Sequence, residues 1–132
     1  MAHCYSIMFI QHDVASVELK PRDIPDKIII SGRPQVSGRV LSVTDDKRVA
    51  RVAWHMTKGA VRLTGIDPDN SDLMYVLEGG CELRIDGEAP IVVKEGDWIE
   101  CPIRDFEMHV HDVLHKISVI YNPKGLSLDV EP

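Results

Sequence analysis

The sequence predicts an all-β domain, built as a sandwich or a small barrel. From about residue 39 onward the chain is a succession of short runs rich in β-branched residues. Hardly any stretch shows the 3.6-residue period of an amphipathic helix. A length of 132 residues corresponds to one ordinary domain, and 44% hydrophobic residues are enough to bury a core. Global disorder is therefore excluded, and a single domain is expected.

The apolar runs define the predicted strands. Each run has the length, the β-branched composition and the flanking turn residues that are typical of a strand. In chain order, the predicted strands are Arg39–Thr44, Val49–Met56, Leu73–Glu78, Cys81–Asp86, Ile91–Lys94, Trp98–Cys101, Phe106–His111 and His115–Tyr121.

The segments between these runs are rich in glycine, aspartate, asparagine and proline. Such residues supply the positive φ angles or the local hydrogen bonds that chain reversals require. Turns are accordingly predicted at Asp45-Asp46-Lys47, Gly79-Gly80, Asp86-Gly87, Gly96-Asp97 and Asn122-Pro123.

The first 38 residues have a different character, because three prolines surround the apolar segment Lys27–Ile30. Proline is confined to edges, bulges and connections in sheets, so residues 1–38 are predicted to form an extended N-terminal arm. The arm could cover an open sheet edge or lie across a partner subunit. The alternative is a loose leader that orders only in part. Residues 39–132 would then form the barrel domain.

Charge and composition restrict the partners. The formal net charge of −6 disfavours nucleic acid and anionic membrane surfaces. No run of 18 apolar residues and no signal peptide is found, so a soluble, cytoplasmic protein is expected. The three cysteines Cys4, Cys81 and Cys101 lack C-x-x-C spacing, which favours a reducing compartment and argues against a zinc ribbon.

Two spaced patterns stand out between residues 59 and 107. In the first, Gly59 and Gly79 enclose Gly65, Asp67 and Asp72 at the spacing G-x5-G-x-D-x4-D-x6-G. The second runs from Gly96 through Pro102 and Arg104 to Glu107. Between and around them stand the runs YVLEG, RIDGE and EGD, which begin at residues 75, 84 and 95.

This arrangement resembles the cupin superfamily, whose motifs are G-x5-H-x-H-x(3,4)-E-x6-G and G-x5-P-x-G-x2-H. Gly65 and Asp67 stand where the two histidines would be, Asp72 at the glutamate, Arg104 at the second-motif glycine and Glu107 at the second-motif histidine. The framework runs are similar to the ethanolamine-utilisation branch. The resemblance covers roughly residues 39–121, and it implies an antiparallel double-sheet jelly-roll barrel. Many reactions share that fold, so the fold alone does not define an activity.

The run from Phe106 to His111 alternates apolar and polar residues. One strand face would carry Phe106 and its apolar partners, and the other Glu107, His109 and His111. The residues alone fit a solvated outer face equally well. The resemblance implies that Glu107 points into the barrel, as the second-motif histidine does.

A divalent ion could be held by Asp67, Asp72, Glu107 and His109. Three carboxylates and one imidazole suit manganese, magnesium, iron or calcium better than copper. Without an ion, the three carboxylates would repel one another if they converged. Otherwise they do not converge, and Asp67 is simply a turn former.

Further candidates are weaker. Arg62 and Arg104 could anchor an anionic ligand, because guanidinium binds carboxylates and phosphates bidentately. His55 is expected to be hydrogen-bonded or exposed, and His115 to lie at a strand start facing solvent beside Lys116. Met74 is a further candidate for contact with the ligand. A metal-free module would be favoured by an apolar pocket whose lining shares parity with the candidate ligands: Val61, Leu63, Met74 and Val76.

The leading hypothesis is a small cupin that binds a small polar or anionic metabolite in the barrel. It would act on that metabolite as a divalent-metal-assisted isomerase, lyase or decarboxylase, with Glu107 and His109 as catalytic residues. The alternative is a metal-free module for ligand sensing or assembly without catalytic activity, and a metal-free cyclase or isomerase is a third possibility. A homodimer is expected, because sheet edges favour pairing.

Overall fold

The computed structural model describes residues 9–64, 67–101 and 104–127. Its strands form one antiparallel sheet in the order β1-β3-β4-β8-β5-β6, with β2 paired to β4 and β7 to β5. Two 3-10 turns, Val14–Ser16 and Asp26–Ile28, are the described helical elements, and neither could cross a membrane. The strands are β1 (Lys20–Arg22), β2 (Ile29–Gly32), β3 (Val36–Val43), β4 (Val49–Leu63), β5 (Ser71–Arg84), β6 (Ile91–Lys94), β7 (Trp98–Glu100) and β8 (Phe106–Tyr121).

Three long strands, β4, β5 and β8, form the frame of the molecule. Strand β8 lies between β4 and β5 and pairs with both along its length. Register shifts interrupt all three strands near their middle, so the sheet has two halves. In the first half β3 and β7 flank the long strands, and in the second half β2 and β6 do so. One hydrophobic core contains residues of both halves, which therefore face each other as the two layers of a jelly roll.

The structure confirms the all-β class but changes several boundaries. Leu73–Glu78 and Cys81–Asp86 belong to the single strand β5, so the turn predicted at Gly79-Gly80 is wrong. Gly79 instead has a φ of +74°, and the strand bends there without reversing. Likewise, Phe106–His111 and His115–Tyr121 are parts of β8. Bulges and glycines let a long strand pass from one layer to the other. The residue composition at such a bend resembles that of a turn, so composition alone does not distinguish the two.

Part of the predicted N-terminal arm, from Lys20 onward, takes part in the sheet. β1 pairs with β3, and β2 pairs with the second half of β4. β3 begins at Val36, so position 38 falls inside a strand. From residue 20 onward, this segment therefore contributes strands along the barrel's edges.

Alternation along β8 fixes which side chains face the interior. Phe106, Met108 and Val110 are buried in the core, and Leu114 continues the same face beyond the bend. Strand pairing places Lys116, Ser118 and Ile120 on that face as well, opposite Trp54, Met74 and Asp72. The interior face of β8 is thus apolar up to Leu114, just beyond the bend, and carries the polar side chains of Lys116 and Ser118 after it.

Candidate binding site in the barrel interior

A cavity of about 240 Å³ lies at the end of the barrel where β5 and β8 carry their polar interior residues. The backbone N–H of Cys101 donates to the carbonyl oxygen of Asp72 at 2.7 Å, which ties the chain after β7 to β5. The lining combines apolar and polar side chains: Leu63, Thr64, Asn70, Asp72, Cys101, Phe106 and Ile120. Small-molecule sites commonly have this mixture.

Asp72 is the charged group of this cavity. It shares the interior face of β5 with Met74 and Val76, both fully buried. Its Oδ1 atom is buried and has no hydrogen-bond partner among the described residues. Leaving a buried carboxylate oxygen unpaired costs free energy, on the order of 1–3 kcal/mol or more for a charged group. The atom therefore provides a strong acceptor for a donor supplied by a ligand.

Lys116 and Ser118 form a second polar group deeper in the barrel. Both are buried, and Lys116 Nζ donates to Ser118 Oγ at 2.7 Å. The same Nζ lies 5.0 Å from the centre of the Trp54 ring, a cation–π distance. The sequence motifs assign no role to this lysine. Its position two residues after Leu114 and two before Ser118, in phase with Phe106 and Met108, is the signal that could have found it.

Two buried thiols stand near these charges. Burial, as the main cause, raises the pKa of Cys81 to about 11 and that of Cys101 to about 12. Asp72 adds to the rise at Cys101, and Lys116 opposes the rise at both. Both thiols are therefore protonated at neutral pH and pack as small buried hydrophobic groups. Cys4 lies outside the described residues.

Glu107 and His109 occupy the opposite side of the sheet from the cavity. They alternate with the buried Phe106 and Met108, so their side chains point outward. The expectation that Glu107 points into the barrel is therefore wrong, because the apolar face of the strand takes the interior. Glu107 Oε1 and His109 Nε2 lie 2.9 Å apart. This hydrogen bond, followed by charge attraction from His109 and Arg62, lowers the pKa of Glu107.

The four predicted metal ligands are not brought together. Asp72 faces the interior, and Glu107 and His109 face outward. Asp67 accepts hydrogen bonds from Asn122 Nδ2 at 3.1 Å and from a backbone N–H of its own turn. Within residues 9–64, 67–101 and 104–127, no three His, Cys, Asp or Glu side chains converge on one point. The described donors do not fit a divalent ion. The motif positions Gly65 and Pro102 lie outside these ranges.

The predicted anion anchors meet at one groove of about 360 Å³ on the barrel surface, which both Arg62 and Arg104 line. Each guanidinium pairs with acids. Arg62 lies 3.4 Å from Glu107 Oε2 and 3.6 Å from Asp86 Oδ2, and Arg104 contacts Glu88. These pairs compete with any anion for the two arginines. Met74, the third predicted ligand contact, is fully buried in the core.

The predicted apolar pocket residues and the histidine beside Lys116 can be placed as well. Val61, Leu63, Met74 and Val76 all belong to, or pack against, the interior core. His115 is 9% exposed rather than solvent-facing, and its strand starts nine residues earlier, at Phe106. That prediction was wrong because the two halves of β8 are continuous. The His115 ring lies 5.7 Å from the ring of His55.

Comparisons with solved structures identify the fold of the chain. The two-layer antiparallel barrel has the cupin fold, which confirms the fold that the resemblance implies. It is similar to the EutQ protein of Clostridium difficile, with 17% identity, a TM-score of 0.63, and coverage of 83% of this chain and 84% of that one. A cupin domain of a transcriptional regulator from Enterobacter cloacae is 14% identical over 67% and 97% of the chains, with a TM-score of 0.57.

The ectoine synthase from P. lautus is 15% identical over 89% of this chain and 80% of that one, with a TM-score of 0.61. No protein-family model matches the chain, and no curated protein matches it significantly. At these identities the likeness concerns the fold. Any function has to be argued from the site.

Proposed function

We propose that the barrel interior binds a small polar molecule that enters at the cavity beside Asp72. The unpaired, buried Oδ1 of Asp72 carries this proposal. A carboxylate in that state gains most from a ligand with an ammonium, amide or hydroxyl donor. Asn70 and Thr64 add further hydrogen-bonding groups to the same lining.

The dimensions of the cavity favour a small ligand. Its volume of about 240 Å³ lies below the range of roughly 300–1,000 Å³ that is typical of drug-sized molecules. Leu63, Phe106 and Ile120 supply the apolar walls against which a short carbon chain can pack. A metabolite with a short aliphatic body and a polar head has the matching shape.

A role in binding, sensing or assembly suits this site better than metal-assisted isomerisation, lysis or decarboxylation. The observation that favours it is the separation of the acidic and imidazole side chains between the two faces of the sheet. In the interior, Asp72 is the described carboxylate that could move a proton. An acid–base reaction at the ligand would therefore depend on Asp72, not on Glu107 or His109.

The two candidate sites can be separated with one pair of substitutions. Asp72→Asn removes the charge at the cavity, and Glu107→Gln removes the outward carboxylate. We expect Asp72→Asn to weaken binding of small amines and polyols at least about tenfold, because a charged hydrogen bond contributes 1.5–3 kcal/mol. Glu107→Gln should leave binding unchanged. Chemical shifts of backbone amides, followed during titration with such a panel, measure both effects.

Asp45→Asn, in the exposed turn before β4, is the matched control for loss of one surface carboxylate. Binding that survives in Asp72→Asn but is lost in Glu107→Gln would move the site to the outer face. That result would restore Glu107 and His109 as the functional pair.

A further inference from the structure

We infer that the interior ligand carries both a positive and a negative group, with the positive group at Asp72 and the negative group at Lys116. This inference rests on the proposed function and specifies the ligand class. The class is a short amino carboxylate, whose two charges match two opposite charges already present in the barrel.

Among the described residues, Lys116 forms no ion pair within 4 Å. Its side chain is buried, with 8% of the residue exposed, and its described contacts are Ser118 Oγ and the Trp54 ring. An ammonium group has three hydrogens to donate, and Ser118 accepts one. A buried charge without a counter-ion is costly, and an apolar residue of similar size often replaces it at a gain in stability. The interior therefore holds a cation that an anionic group would stabilise.

Strand register gives the offset between the two residues along the strands. On adjacent strands, Ile120 pairs with Asp72, Ser118 with Met74, and Lys116 with Val76. The bond from Lys116 Nζ to Ser118 shows that the lysine leans toward the Asp72 end. The ammonium thus lies near the level of Ser118, one same-face step of roughly 6.5–7 Å from the level of Asp72. Asp72 raises and Lys116 lowers the pKa of Cys101, in agreement with this arrangement.

The cavity as described ends at Ile120 and Cys101, next to Ser118 and Met74 along the interior face. Met74 is unbranched and adaptable, so its side chain can yield to a ligand at modest cost. A molecule that reaches from Asp72 past Met74 to Lys116 neutralises both charges. A simple amine or a simple carboxylate neutralises one and leaves the other unmatched.

The test compares γ-aminobutyrate with n-butylamine and butyrate, which share its carbon chain and carry one charge each. Dissociation constants come from amide chemical shifts during titration of the full chain. We expect γ-aminobutyrate to bind at least about tenfold more tightly than either probe. Lys116→Met should reduce its affinity to that of butylamine and leave butylamine binding unchanged. The same variant should be at least as stable as the wild type toward urea, as expected for removal of an unpaired buried charge.

Failure of this inference differs from failure of the proposed function. If Lys116→Met keeps the preference for γ-aminobutyrate, the inference is wrong, and butylamine binding that depends on Asp72 still supports the site. If butylamine binds equally well to the wild type and Asp72→Asn, the site itself is wrong. Should Lys116→Met not fold, the ¹³Cε shift of Lys116 in the wild type decides. This chemical shift should change when γ-aminobutyrate is added and remain constant when butylamine is added. A constant chemical shift with γ-aminobutyrate overturns the inference.

Discussion

Single titratable residues in this barrel lie in environments that differ sharply from water, and His115 is an example outside the site. It faces His55 on β4 and Glu78 on β5 in the strand register. Its Nε2 is buried with no hydrogen-bond partner among the described residues. Burial first, and then the charge of His55, lower the pKa of His115 below its usual 6.5, while Glu78 opposes them. The folded protein therefore keeps this ring neutral at pH 7.

This shift predicts a loss of stability in mild acid. The unfolded chain protonates His115 near pH 6.5 and the folded chain only at lower pH, so the unfolded state binds more protons between these values. The free energy of unfolding should fall as the pH drops below about 6.5, by at most about 1.4 kcal/mol per pH unit from this group. Urea unfolding at pH 7.5 and pH 5.5 measures the change.

His115→Gln should flatten this pH dependence, because the titrating group is removed. His111→Gln is the matched control, since the side chain of His111 is 78% exposed. An equal loss of stability in the wild type and in His115→Gln would assign the effect to other groups.

At the scale of elements, the bend in β5 depends on a close approach between two backbones. A Cβ atom placed on Gly79 would lie 1.8 Å from the carbonyl oxygen of Val113 on β8. The obstruction is backbone, which cannot rotate away as a side chain can. Gly79 also has a φ of +74°, a conformation that other residues adopt at a cost.

Gly79→Ala should therefore destabilise the protein by more than about 3 kcal/mol, placing it among the most damaging single substitutions. Gly87→Ala is the control, because Gly87 has a similar φ of +81° but nothing within 4 Å of the added carbon. It should cost about 1–2 kcal/mol, the price of the backbone conformation alone. Chemical denaturation measures both values. Similar losses in the two variants would show that the contact with Val113 yields easily.

Bends and register shifts limit how much of the fold the sequence predicts. The strands Ile91–Lys94 and Phe106–His111 follow from composition and alternation, and the interior face of the latter follows from its three apolar residues. The register shift between Thr57 and Gly59 cannot be predicted in this way. It reverses the alternation of β4, so Met56 and Val61 both point inward although their numbers differ in parity.

The sequence predicts only part of the candidate site, because the continuity of β8 is not evident from it. Asp72 was found because it occupies a motif position. Glu107 was predicted to point into the barrel because the motif position was given more weight than the apolar face of its own strand. Lys116 was overlooked because a lysine after a histidine resembles the start of an exposed strand. Its burial becomes evident only when β8 is traced as one strand from Phe106 through Leu114.

At the scale of the whole molecule, an apolar surface lies on the outer face of the first half of the sheet. Trp98 is 61% exposed, and its ring centre lies 4.8 Å from that of Tyr75 on the neighbouring strand. Leu73 and Tyr121 are also exposed and share the outward face. In the part of the chain that the structure describes, β7 has no strand beyond it. An apolar aromatic patch at an open sheet edge is typical of an interaction surface.

We expect a second copy of the chain to cover this patch, giving a two-fold dimer in which the same residues meet from both sides. Trp98→Glu places two like charges in the desolvated centre of such an interface and should yield a monomer at tens of micromolar. Val92→Glu on β6 is the matched control, because Val92 is 70% exposed on the other half of the sheet. Light scattering coupled to size exclusion measures the masses. A wild-type monomer, or equal dissociation by both substitutions, would show that this patch does not join two copies.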